Sequence, residues 1–358
     1  MELDQTKLET FLKAEQAVGI EAPLQIRQFK HGQSNPTYFL KDAKGRRLVL
    51  RKKPPGALLS KTAHAVEREY RVLSTLKHHT DVPVPEVFTL CEDPAVIGTP
   101  FYIMQFLDGR IFTDQRLLDV PSSDRKAYYY SIIDTLARLH RADYKSLGLE
   151  DFGKPKGFYE RQIRTLVGVS KAQGQVTDAK GNAVGDLDRL NDAIAWFKRN
   201  QVADEATIVH GDFKLDNVVF HPTTSNVIGV LDWEMSTIGH PLSDLANLLL
   251  PYYVPTTFLG HSFGLRDAPR PLPIPEADDL ILEYCRLTNR RYPIPNWKFC
   301  VAFSFFRLAV ITQGIAARVK RGQASSAEAE TFGKVFQPLA RLIGEVVDRG
   351  DLHERAKL

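Results

Sequence analysis

The stretch "HGDFKLDNVVFHPTTSNVIGVLDWE", residues 210–234, decides how the rest of the chain is read. Its short apolar runs are bounded by Asp212, Asn217 and Asp232, with Lys214 between the first two. Apolar strands have no need of such residues at their ends, so a charged group is expected where those ends meet. In phosphoryl transfer a protein does little covalent work; it positions the reactants and neutralises developing charge. A carboxylate must orient the attacking hydroxyl, which suits Asp212. Magnesium prefers hard oxygen donors, and Asn217, five residues on, offers one. A β-hairpin through "VIGVL" returns Asp232 beside Asn217 as a second. Lys214 can reach a transferring γ-phosphate. The competing reading is a plain turn between strands, with Asp and Asn as turn and cap residues.

Around this stretch the chain divides in two. The first part alternates short strand patterns with turns: "LQIRQFK", "PTYFLKD" and "RRLVLRKK", the last two joined by the hairpin connection "DAKGRR". A helix is expected near 5–17. A longer one is expected in "SKTAHAVEREYRVLSTLKHH", where Ala65, Val66, Tyr70, Val72, Leu73 and Leu76 keep helical spacing and Ser60 suits the N-cap. "VPVPEVFTL" and "GTPFYIMQFLDG" read as two more strands. From about residue 122 the patterns are helical, interrupted by three short strands in the opening stretch. "PLSDLANLLL" starts a helix with Pro in its first turn. Long helical patterns close the chain at about 295–319 and 325–349, after an irregular Pro- and Gly-rich surface loop from 251. The expected class is α+β: a small β-rich N-terminal lobe with one long helix, residues 1–107, and a larger, mainly helical lobe, residues 108–358.

Composition narrows the functions. A net charge of +4 over 358 residues is no nucleic-acid footprint and hints at most at an anionic small-molecule substrate. Cys91, Cys285 and Cys300 are widely spaced, which argues against structural zinc and a disulfide framework. The N-terminus lacks the pattern of a signal or transit peptide, and no apolar run is expected to reach the roughly 18 residues of a membrane span.

His210-Gly211-Asp212 with Asn217, followed by Val-Leu-Asp232-Trp-Glu, resembles the catalytic and metal motifs of the aminoglycoside phosphotransferase and choline kinase group. The wording "VLRKKPPG", "HAVEREYRVL" and "LDWEMSTIGHPLSDLANLL" is similar to the kinase-like domain attached to some acyl-CoA dehydrogenases, over roughly residues 25 to 345. The resemblance implies a two-lobed protein-kinase-like fold, an ATP- and Mg²⁺-dependent small-molecule kinase, and phosphorylation of a hydroxyacyl-CoA or hydroxy acid.

It also assigns residues. Arg51 stands where protein kinases carry their ATP-binding lysine, a departure that still allows pairing with α- and β-phosphates. Glu69 is its expected partner, with Glu67 the rival. "KHGQSNPTYFL" occupies the place of a Gly-rich loop but holds only Gly32; the backbone near Gln33 and Ser34 can form an anion-binding nest, or simply a hairpin turn. Gln105 to Leu107 falls at the hinge that meets the adenine edge, flanked by Met104, although an apolar strand also accounts for a core methionine. Asp244 is expected to steady the loop around Asp212, and His210 and His140 to serve structure. The final Ala356-Lys357-Leu358 is a variant of the Ser-Lys-Leu address read by the peroxisomal import receptor, making the peroxisome the expected location and the cytoplasm the alternative. Two other functions stay open: a kinase of amino alcohols or aminoglycosides, and a nucleotide-binding pseudokinase.

Overall fold

The computed structural model describes residues 3–15, 18–29, 35–54, 65–258, 263–323 and 329–348. Gln33, Ser34, Ser60 and the tripeptide Ala356–Leu358 lie outside the described residues.

Helix α1, Gln5–Ala14, is capped by the Asp4 carboxylate, which accepts the Lys7 N–H. Strands β1 (Gln25–Gln28), β2 (Thr37–Lys41) and β3 (Arg47–Lys52) follow as an antiparallel meander. The β2–β3 turn closes on Asp42, whose main-chain and side-chain groups both bond Arg46, with Gly45 at φ +86°. Helix α2, Val66–His79, starts six residues after Ser60. Strand β4 (Val87–Cys91), the short helix α3 (Pro94–Ile97) and β5 (Phe101–Gln105) complete a five-stranded sheet in the order β1-β2-β3-β5-β4.

The sheet is covered on both faces, and the period-two alternation of strands sorts its side chains between them. Leu48, Leu50, Phe101 and Ile103 point into a small core with Leu8 and Leu12 of α1. Val49, Tyr102 and Met104 join the main core with Val72, Leu73 and Leu76 of α2. On this second face Arg51 sits directly across from Tyr102. In α2, Val66, Leu73 and Leu76 form a helical stripe, and Glu69 falls on it, three residues after Val66 and four before Leu73. Glu67 falls off it. The register of one strand and the phase of one helix therefore bury a guanidinium and a carboxylate together.

The remainder is mainly helical: α4 (Arg125–Arg141), α5 (Phe158–Gly174) and α6 (Leu190–Arg199), then the irregular region that holds the opening stretch. Strand β6 (Thr207–Val209) leads into that stretch, β7 (Val218–Phe220) and β8 (Val227–Val230) lie within it, and β9 (Thr237–Gly239) follows. The stretch thus contains two strands, not three. They form an antiparallel hairpin with Val218 opposite Val230, while β6 and β9 pair with each other outside it. Gly109 packs against this hairpin so closely that a Cβ would stand 2.3 Å from the Phe220 carbonyl oxygen.

Helices α7 (Leu242–Leu249), α8 (Ala277–Leu287), α9 (Trp297–Lys320), α10 (Ala329–Gly333) and α11 (Phe336–Asp348) complete the chain. Two expectations are corrected here. The segment from 251 is no mere surface loop: Leu265, Leu272 and Ile274 are buried, and α8 is held by a capping box between Glu276 and Asp279. The closing pattern is broken into α10 and α11. In addition, α9 is long and apolar enough to cross a membrane by length and composition, which a count of uninterrupted apolar residues passes over. Most of it is buried within the protein, packed on α5, α7, α10 and α11.

Candidate active site

The loop after β6 is held from several directions. His210 is fully buried; its Nε2–H donates to the Leu231 carbonyl at 2.8 Å, and its Nδ1 accepts the Asp212 N–H at 3.2 Å. Both ring nitrogens are thereby occupied, which fits a structural imidazole rather than a base. Asp244, in the first turn of α7, accepts the His210 N–H at 2.7 Å and the Gly211 N–H at 2.9 Å. His140 reaches the same carboxylate at 3.3 Å and contacts the Tyr284 hydroxyl at 2.7 Å. Gly211 adopts φ +84°, and a Cβ there would stand 2.5 Å from the Met235 carbonyl oxygen. The tight turn that presents Asp212 has room only for glycine.

Asp212 is half-buried between two sets of neighbours. Its Oδ2 faces Lys214 Nζ at 3.3 Å and Asn217 Nδ2 at 3.3 Å; its Oδ1 faces Asn247 Nδ2 at 3.5 Å and Arg307 Nη2 at 3.9 Å. Burial alone opposes ionisation, but the charges of Lys214 and Arg307 outweigh it and hold the Asp212 carboxyl below the usual carboxylate range. Lys214 is raised in turn: burial disfavours its charge, and Asp212 and Asp216 more than restore it. Asn217 Nδ2 also donates to the Asp212 carbonyl at 2.9 Å, and the Leu231 N–H donates to the Asn217 carbonyl at 2.8 Å. The β7–β8 hairpin therefore brings Asp232 round beside Asn217. Asp232 sits in the left-handed region at φ 64°, ψ 61°, a conformation that Asp tolerates better than most residues.

Arg51 joins the sheet to this loop. Its Nη2 donates to Asp232 at 2.6 Å and to Glu234 at 3.1 Å, and its Nε lies 2.9 Å from Glu69 Oε2, a close ion pair without hydrogen-bond alignment. Burial opposes the charge on Arg51, but Glu69, Tyr102, Asp232 and Glu234 together raise its pKa. Glu69 is shifted upward by burial, against the pull of Arg51. It accepts from the Tyr102 hydroxyl at 3.0 Å and from Asn35 Nδ2 at 2.7 Å. Glu67 pairs instead with Lys53.

At the expected hinge, Met104 is buried in the core, and the Gln105 N–H is spent on the Glu86 carbonyl at 2.8 Å. The main-chain groups of Leu107 make no hydrogen bond among the described residues. Its side chain lies over Gly229 of the hairpin, where a Cβ would meet Leu107 Cδ1 at 2.1 Å.

Arg307, Asn247, Glu234, Asn35 and Tyr102 were not singled out from the sequence. Asn247 follows Asp244 at helical spacing, and Arg307 is the only charged residue between Lys298 and Arg318; both signals are readable. Asn35 and Tyr102 carry none. A cavity of about 510 Å³ elsewhere is lined by Lys171 and the Asp186–Asp192 segment. None of these residues touches Asp212.

With this geometry in view, comparison settles the family: residues 25–279 match the Phosphotransferase enzyme family. The chain belongs to it. This phosphotransferase is 41% identical to mouse acyl-CoA dehydrogenase family member 10 over 96% of its own length and 31% of the relative's. It is 42% identical to chicken acyl-CoA dehydrogenase family member 11 over 88% of its length and 40% of the relative's. The chain thus spans only 31% to 40% of the length of these curated relatives. Among solved structures, a Ralstonia eutropha protein described as an aminoglycoside phosphotransferase superposes with TM-score 0.83 at 36% identity, covering 97% of this chain and 99% of that one. An aminoglycoside phosphotransferase APH(4)-Ia in ternary complex with AMP-PNP and hygromycin B shares the fold, with TM-score 0.58 at 14% identity over 96% of this chain and 99% of that one. The phosphotransferase is a small-molecule kinase with the kinase-like fold of this family.

Proposed function

We propose that this phosphotransferase uses ATP and Mg²⁺ to phosphorylate the hydroxyl of a hydroxyacyl-CoA or free hydroxy acid. The observation that supports it most is the single carboxylate of Asp212, kept ionised among Lys214, Asn217, Asn247 and Arg307 at the mouth of the hairpin that ends in Asp232. In the proposed reaction the acceptor oxygen attacks the γ-phosphorus and the bond from γ-phosphorus to the β,γ-bridging oxygen breaks. ADP leaves, and the hydroxyl proton passes to Asp212. Lys214 steadies the transferring phosphoryl group. Arg51, fixed by Glu69, holds the α- and β-phosphates, and the free main-chain groups of Leu107 meet the adenine edge. The nucleotide lies where the sheet residue Arg51 meets the loop that carries Asp212 and Asp232.

The donor chemistry fits magnesium. Asn217 Oδ1 and Asp232 Oδ2 are hard oxygens that accept no hydrogen bond among the described residues. No group of three or more His, Cys, Asp or Glu residues among the described residues forms a metal cage. Magnesium bound through one or two protein oxygens and substrate phosphates needs none. Bound there, Mg²⁺ supplies neutralisation of the β- and γ-phosphates.

The names of the dehydrogenase-family relatives favour an acyl acceptor. The description of the Ralstonia structure favours an amine-bearing one. Stimulation of ADP release by hydroxyacyl-CoAs, free hydroxy acids and amino alcohols separates them. A signal from amino alcohols alone refutes the acyl proposal.

Removing either partner of the Arg51–Glu69 pair raises the ATP KM. In Arg51→Ala and Glu69→Ala, a double-mutant cycle on that KM shows coupling of about 0.5–3 kcal/mol; strict additivity removes Glu69 as the anchor. The same proposal takes Ala356-Lys357-Leu358 as a peroxisomal address. A chain expressed to end at Leu358 is expected to accumulate in peroxisomes, and deleting the tripeptide to leave it cytosolic with kinase activity intact. A cytosolic chain ending at Leu358 removes the address and leaves the kinase reading standing.

A further inference from the structure

We propose that Arg307 selects the acceptor: it binds an acyl oxygen, carboxylate or carbonyl, lying within a few bonds of the hydroxyl to be phosphorylated. This rests on the reading of Asp212 given above and adds a residue and a distance constraint to it. Helix α9 carries no other charge between Lys298 and Arg318. Its neighbours on either side of Arg307 are among the most buried residues of the protein, Phe305 and Phe306 before it and Ala309 and Val310 after it. A cation placed in such a helix costs stability unless something pairs with it.

The pairing it has is weak. Arg307 Nη1 donates to Asn247 Oδ1 at 3.4 Å, and Nη2 stands 3.9 Å from Asp212 Oδ1. Asp212 is itself shared with Lys214 at 3.3 Å. A guanidinium has five donors in a planar fork; the rest make no hydrogen bond among the described residues. The side chain is 20% exposed, so it is held by the helix yet open to a ligand. Asn247 Nδ2 donates to the Phe213 carbonyl at 3.1 Å, which fixes the amide that orients the guanidinium.

Geometry then limits the ligand. An acceptor hydroxyl hydrogen-bonded to Asp212 and a second oxygen hydrogen-bonded to Arg307 are each about 2.7–3.0 Å from their partners. With Arg307 3.9 Å from the same carboxylate, both oxygens must lie on nearby carbons of one molecule. A hydroxy acid or a hydroxyacyl thioester with close functional groups satisfies this. The distant phosphates of a CoA moiety do not, and an ammonium group is repelled.

The test uses the full chain with Mg²⁺ and ATP and three acceptors of matched carbon skeleton: a hydroxy acid or its CoA thioester, the alcohol lacking the acyl oxygen, and the amino alcohol. Wild-type enzyme is expected to prefer the acyl acceptor in kcat/KM. Arg307→Met is expected to raise the acyl acceptor's KM about 10- to 100-fold, the scale of a charge-assisted hydrogen bond, and to erase the preference. Arg307→Lys restores part of it, and ATP KM moves little. Equal loss on all acceptors in Arg307→Met overturns the assignment alone, because Arg307 then acts only on Asp212. Wild-type preference for the amino alcohol overturns it together with the proposed acceptor class, and needs no variant.

Discussion

Asp212→Asn lowers kcat about 10²- to 10⁴-fold while ATP still binds, the loss typical of removing a general acid–base group. The amide is the same size but keeps a single acceptor oxygen, so only one of the hydrogen bonds donated by Asn217 and Asn247 can persist. The charge that Lys214 and Arg307 face does not. Steady-state kinetics with nucleotide titration checks this, and activity within a few-fold of wild type removes Asp212 from the chemistry. His210→Ala also lowers activity by loosening the loop, so the discriminating readout is a folded Asp212→Asn protein with unchanged nucleotide affinity.

Asp232→Ala abolishes turnover and Mg²⁺-dependent ATP binding together. Two effects combine here. An oxygen donor of the proposed metal site is lost, and Arg51 loses a partner held at 2.6 Å, leaving it to Glu69 and Glu234. Asp232→Asn separates them, since it keeps an oxygen in place without the charge. Asn217→Ala is milder because it removes one neutral donor. ATP titrations at varied Mg²⁺ decide the matter: an Asp232→Ala protein whose Mg²⁺ dependence matches wild type contradicts the role proposed for this residue.

Much of this arrangement is legible in the sequence because it follows from local rules. The hairpin that carries Asp232 back to Asn217 is written in two short apolar runs, and the phase of Glu69 on α2 is set by Val66, Leu73 and Leu76. The role of Asp244 follows from the family resemblance and not from local spacing, because the N–H groups it accepts lie 33 and 34 residues away. Other parts depend on the folded context. The α8 helix hides behind a proline-rich approach, because its stripe of Leu280, Ile281, Tyr284 and Cys285 spans only three turns. The count of strands in the opening stretch fails because β6 and β9 are three-residue strands lying just outside it, stabilised by each other. Arg307 reaches Asp212 and Asn247 through the packing of α9 on α7, a contact in which Arg307 and Asn247 stand 60 residues apart. Local spacing cannot express it, although an isolated arginine in an apolar helix invites the question.

Transfer of the ATP γ-phosphoryl group to a small-molecule hydroxyl at Asp212 is tested most directly by phosphorus NMR of the chain with Mg²⁺, ATP and a hydroxyacyl-CoA. The expected result is a new phosphomonoester resonance growing in step with ADP, absent when Asp212→Asn replaces the wild type. ADP accompanied only by inorganic phosphate, at a rate indifferent to the acceptor, contradicts it.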